Sequence, residues 1–141
     1  MTVIEVAERK GRYRAASFYF FGAMSLATLC WSMARPDSDF LRGLWVGLTF
    51  AAAANLLPLA RWLKPSSEVA RLLDDDGVRE HRRISCTAGF WTAVVSSLVV
   101  AMAVELRALL GPLDAIRVVA TAAIAVALMS FATLELRAAR G

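Results

Sequence analysis

Four apolar stretches, Ala15–Ala34, Gly43–Leu63, Ser85–Leu106 and Ala115–Leu136, decide what this chain can fold into. A bilayer core about 30 Å thick requires roughly 20 apolar residues of helix at about 1.5 Å each. All four stretches meet that length. Of the 141 residues 58% are hydrophobic, and the polar remainder is too short to bury four such helices inside a soluble protein. The expected fold class is all-α: an integral membrane four-helix bundle, a single membrane domain over residues 1–141.

The breaks between the stretches give the connectivity. Arg35-Pro36 ends the first helix, because proline cannot continue the hydrogen-bond ladder. The connection Arg35–Arg42 is short and charge-balanced, so the second helix must run back antiparallel. Pro65 closes the second helix, and Leu110-Gly111-Pro112 turns the third into the fourth. Two tandem antiparallel hairpins result, over about 1–65 and 84–141, joined by a polar loop over 66–83. The apolar run after Arg14 exceeds a signal-peptide core, so it is read as a retained first helix and not as a cleaved leader.

Orientation follows from the basic residues. Of the 16 Lys and Arg, only Arg35, Arg42, Arg107 and Arg117 fall on one side of the predicted helices, and all the others fall on the opposite side. The positive-inside rule makes that second side cytoplasmic. Both termini and the central loop therefore face the cytoplasm of a multi-pass protein in the bacterial inner membrane. Tyr13 and Trp62 fall at the inner interface, Trp31 and Trp45 at the outer one, as an aromatic belt requires.

The same distribution argues against direct nucleic-acid binding despite a net charge of +4, since the basic residues sit at helix ends. Cys30 and Cys86 fall near opposite faces, too far apart to join. His81 is the only histidine, which precludes a His-based metal site. No catalytic constellation, metal site or cofactor motif is expected. Glu105 with Arg107, and Asp114 with Arg117, read as interfacial clusters that orient helix ends. No ionisable residue falls at a helix centre, against the usual pattern of a proton-coupled pump.

Sliding the chain so that Val6 falls on Val78 superposes Val6-Ala7-Glu8-Arg9-Lys10 on Val78-Arg79-Glu80-His81-Arg82, and Ala15-Ala16-Ser17-Phe18-Tyr19 on Thr87-Ala88-Gly89-Phe90-Trp91. An internal repeat is the expectation: two hairpins in parallel orientation, related about an axis along the membrane normal.

In the second helix Gly43, Gly47, Ala51 and Asn55 recur every four residues and make one smooth stripe. Small residues let membrane helices approach closely, and an Asn on the same stripe adds a hydrogen bond. The stripe is expected to pack within the chain, with a homodimer as the other assembly. Pro58, three residues after Asn55, frees a carbonyl inside the expected helix. A tolerated kink is favoured over a midplane ligand site or pore lining at Asn55 and Pro58.

The loop divides in two. Ser66 or Ser67 caps a short helix with Val69, Leu72 and Leu73 on one face. Asp74-Asp75-Asp76-Gly77 breaks it as a solvated acidic turn, lacking the alternating spacing of a calcium loop. Val78–Arg83 restarts a helix, with Arg79, Arg82 and Arg83 near anionic headgroups.

The run Leu72-Leu73-Asp74-Asp75-Asp76, then Arg79-Glu80-His81-Arg82-Arg83 and Ala88-Gly89-Phe90-Trp91, resembles small uncharacterised bacterial four-helix membrane proteins. Some of those are encoded beside helix-turn-helix regulators. The resemblance covers the loop and the start of the third helix. It implies a membrane anchor or antagonist of a cytoplasmic regulator. The expected function is a non-enzymatic interaction protein that binds a cytoplasmic or membrane partner through Leu72, Leu73, Asp74, Asp75, Asp76, Arg79, Arg82 and Arg83. The competing class is a small dimeric transporter or channel built on the Gly43–Asn55 stripe.

Overall fold

The computed structural model describes residues 3–35, 38–57, 76–107 and 110–139. They form four α-helices: α1 (Val3–Ala34), α2 (Asp39–Leu56), α3 (Asp76–Arg107) and α4 (Pro112–Ala138). Three contain segments long and apolar enough to cross a membrane, Gly11–Ala34, Gly77–Glu105 and Pro112–Ala138. A fourth such segment was expected in α2, but its described part has only 18 residues and opens on Asp39 and Arg42.

The helix ends follow local chemistry. The Ser38 side chain caps α2 by accepting from the Leu41 N–H at 3.3 Å. At its other end α2 stops at Leu56, and Leu57 is extended (φ −81°, ψ 145°). Proline disfavours helical backbone in the residue before it, which accounts for the extended Leu57; the kink expected at Pro58 lies outside the described residues, as does the rest of the expected span to Leu63. Pro112 opens α4 at a position where its missing N–H costs nothing. Asp114 in the first turn and Arg137 in the last complement the helix dipole.

The acidic turn expected at Asp74–Gly77 is also revised in part. Helix α3 already includes Asp76 and Gly77, so Arg79–Arg83 belong to one continuous 32-residue helix with the apolar span. Val78 packs against the core at the start of this helix, and that anchorage accounts for the early helix start.

Helix α4 is the hub. It packs along both α1 and α3, while α2 packs chiefly on α1 and only lightly on α4. Ala15, Phe18, Ala52, Leu128, Phe131 and Ala132 form the central cluster, with Phe21, Leu56, Val78, Ile124 and Leu136 around it. Phe18 and Phe131 meet with ring centroids 5.0 Å apart. Close backbone approach occurs at Gly89, where an added Cβ would come within 2.9 Å of both the Ala123 carbonyl and Ala127 Cβ. With little hydrophobic drive between helices in lipid, such small-residue contacts supply the packing.

The outer face of α3 carries Ile84, Phe90, Trp91, Val95, Leu98, Val99 and Met102, all exposed. In water this would be an apolar patch beyond what a soluble monomer tolerates. In a bilayer it is ordinary lipid-facing surface. Several hydroxyls on the spans are satisfied locally: Thr28, Ser85, Thr92, Ser97 and Thr133 each donate to the carbonyl four residues back, at 2.7–2.8 Å.

Candidate functional site

The N-terminal thirds of α1 and α3 meet the C-terminal end of α4, and the most developed side-chain cluster forms there. Arg14 of α1 grips Glu135 of α4 with two donors. Its Nε donates to Glu135 Oε2 at 3.0 Å, and its Nη2 to Oε1. The two side chains are 23% and 12% exposed, a depth at which a carboxylate needs a partner. The guanidinium also lies over the Phe131 ring, 5.3 Å from its centroid. His81 of α3 approaches the same ring edge-on at 6.5 Å. Phe131 of α4 is thus the shared floor on which residues from α1 and α3 converge.

Around this floor the surface is basic. Arg9, Arg12, Arg79, Arg83 and Arg137 are exposed, and Arg82 is half-buried. Arg9 stacks on Tyr13 at 5.8 Å, and Arg83 pairs loosely with Glu80 at 3.6 Å. One turn deeper, Tyr19 Oη and Thr133 Oγ1 share a hydrogen bond of 2.7 Å between α1 and α4.

A second cluster joins α2 to the start of α4. Trp45 Nε1 donates to Thr121 Oγ1 at 2.9 Å, and the Arg117 guanidinium sits 5.4 Å from the Trp45 ring centroid. Arg117 also pairs with Asp114 at 3.4 Å. The Asp114–Arg117 cluster expected from the sequence is present, and Trp45 completes it. Nearby, a groove of about 620 Å³ runs between α3 and α4, lined by Val100, Ala101, Val104, Ala115 and Val119 with Glu105 at one end.

The residues singled out from the sequence fall as follows. Arg79, Arg82 and Arg83 lie on α3 beside the Phe131 floor, and Asp76 is the first residue of α3. Leu72, Leu73, Asp74 and Asp75 lie outside the described residues. Gly43 and Gly47 are exposed, and an added Cβ at either would meet nothing within 4 Å among the described residues. Ala51 is half-buried and Asn55 exposed. Asn55 Nδ2 donates to the Ala51 carbonyl at 2.7 Å, within its own helix. Among the described residues, close approach to another helix is found at Gly89 on α3 and not at Gly43 or Gly47.

Glu135 is absent from the sequence expectations. A signal was available: with the ends of α1 and α4 on one side, a carboxylate close to the last turn of α4 must lie level with the arginines that open α1. Among the described residues no three His, Cys, Asp or Glu side chains gather as metal ligands. Ser25 Oγ, Thr49 Oγ1 and His81 Nδ1 are buried without a hydrogen-bond partner among the described residues. No protein-family model matches the chain, and no curated protein or solved structure is found to be similar to it.

Proposed function

We propose that this chain is a non-enzymatic, multi-pass protein of the bacterial inner membrane that anchors or antagonises a cytoplasmic or membrane partner. The docking surface is Leu72–Arg83 together with the arginines at the start of α1. One observation carries the reading. The polar surface concentrates where α1, α3 and α4 meet, and the Arg14–Glu135 pair and the Phe131 floor brace that end. A braced platform presents a docking surface at lower ordering cost than a loose one.

The topology belongs to the same proposal: two tandem antiparallel hairpins with both termini and the central segment in the cytoplasm. The equal 32-residue lengths of α1 and α3 support the internal repeat. The resemblance to membrane proteins encoded beside helix-turn-helix regulators favours a transcriptional regulator as partner. Replacing Asp74–Asp76 by Asn and Arg79, Arg82 and Arg83 by Gln should abolish partner co-purification while membrane insertion persists. Unchanged recovery of the partner would count against docking.

A second reading has one observation in its favour. No described residue covers the Gly43 and Gly47 face of α2, which is compatible with packing against a second copy in a small dimeric transporter or channel. Reconstituted flux lost on Asn55→Leu would favour that reading over docking.

A further inference from the structure

Helices α1 and α3 are each 32 residues long, about 48 Å at a rise of about 1.5 Å per residue. A hydrocarbon core of about 30 Å takes up roughly two thirds of that. In both helices a run of charged residues fills the N-terminal third, at the end marked by the Phe131 floor, and on α3 Glu105 and Arg107 mark the opposite end.

The exposed faces of these two ends share one design. On α1, Arg9, Tyr13, Ala16 and Phe20 follow at spacings of four, three and four residues, and all are exposed. On α3, Arg79, Arg83, Cys86 and Phe90 repeat the same spacings, again all exposed. Such spacings keep each set on one helix face. Phe20 and Phe90 are 59% and 63% exposed, so each stripe passes from an outward aromatic up to outward basic charge, one arginine on α1 and two on α3. On α3, Arg83 lies about 10 Å and Arg79 about 16 Å along the axis from Phe90. Those distances suit one phospholipid, its acyl chain along Phe90 and Cys86 and its phosphate at the guanidinium groups.

We infer that these stripes bind phospholipids of net negative headgroup charge, with the α3 stripe as the main site and the α1 stripe as its counterpart. Charge decides the headgroup. A choline ammonium would be driven off by the arginines, whereas a phosphodiester with an uncharged head leaves its negative charge for them. Glu80 pairs with Arg83 at 3.6 Å. Arg83 and Glu80 are 80% and 53% exposed, and so exposed a pair holds too weakly to exclude a phosphate. This inference goes beyond partner docking and does not need a protein partner.

The test uses the full-length chain in a neutral detergent, with no other protein present. Native mass spectrometry compares retained phosphatidylglycerol with phosphatidylcholine of the same chains. Preferential retention of phosphatidylglycerol is expected. Arg79→Gln with Arg83→Gln should weaken it about 25-fold, at about fivefold per arginine, while Arg79→Lys with Arg83→Lys should keep most of it. Circular dichroism checks that the variants remain helical. A measurement on the unmodified chain stands beside these: raising salt should release phosphatidylglycerol and leave phosphatidylcholine unaffected. Equal retention of the two lipids, undiminished retention by the Gln variant, or equal competition by inorganic phosphate at the same concentration would overturn the inference. Loss of partner docking in the same variants would bear on the docking proposal alone.

Discussion

Arg14 and Glu135, 121 positions apart in sequence, form a two-point ion pair between α1 and α4, with Arg14 Nε to Glu135 Oε2 at 3.0 Å. The guanidinium fork matches the carboxylate, and the Phe131 ring covers its face. In a low-dielectric setting removing either charge costs the other a two-point partner that water does not replace cheaply.

Glu135→Gln should therefore destabilise the chain by about 3 kcal/mol. The double variant with Arg14→Gln should recover part of that loss, because no uncompensated charge remains. Arg14→Lys should not be benign, since a point charge cannot form both bonds. Unfolding in mixed micelles, read as a double-mutant cycle, measures the coupling. Strictly additive losses would show that the pair contributes nothing beyond its separate contacts.

Two of the helical glycines that face α4, Gly22 and Gly89, should differ. At Gly89 an added methyl collides with backbone, the Ala123 carbonyl, as well as with Ala127 Cβ. Gly89→Ala should cost about 1–3 kcal/mol through overpacking. At Gly22 the nearest atoms are Cε and Cγ of Met129, at 3.3 and 3.4 Å. A flexible methionine can shift, so Gly22→Ala should stay within about 0.5 kcal/mol. Equal losses at both positions would contradict the helix contacts described above.

These contacts mark the boundary of what the sequence discloses. Ala34 ends α1 two residues before Pro36, and α4 opens on Pro112; proline chemistry makes both legible in advance. So does the apolar length of three spans. Which small residue meets another helix is not legible, because Gly47 and Gly89 sit in equally plausible helical stripes. Only tertiary placement assigns close approach to Gly89, while no described residue comes close to Gly47. Glu135 was hidden for a related reason: a carboxylate near a helix end resembles ordinary interfacial charge until its partner across the bundle is known. At the end of α2 hydropathy continues through Pro58, whereas the helical backbone stops at Leu56 with Leu57 extended.

Gly43 and Gly47 allow a test that separates two assemblies. An added methyl at either meets nothing among the described residues, and alanine favours helix over glycine by up to about 1 kcal/mol. In a monomer, Gly43→Ala with Gly47→Ala should leave stability unchanged or raise it. If this face packs on a second copy, the same variant should instead dissociate the dimer. Sedimentation in detergent alongside thermal unfolding distinguishes the outcomes, and a stable dimer unaffected by Gly43→Leu with Gly47→Leu would exclude the face as an interface.

Trp45 holds α2 to α4 by two means of different kind: an N–H bond of 2.9 Å to Thr121 and a ring face 5.4 Å from the Arg117 guanidinium. Trp45→Phe removes the first and keeps much of the second, since phenylalanine retains an electron-rich face. Its cost should be about 0.6 kcal/mol, the usual size of an interhelical hydrogen bond in membranes. Trp45→Ala removes both and also bares the ring's packing surface, so about 3 kcal/mol is expected. Thr121 is fully buried, and Thr121→Val keeps its shape while deleting the acceptor. Combined with Trp45→Phe, that change should add almost nothing to the single losses if the hydrogen bond is the shared term. A double variant that loses the full sum would show instead that Trp45 and Thr121 act independently, and that α2 is held to α4 by the Arg117–Trp45 contact.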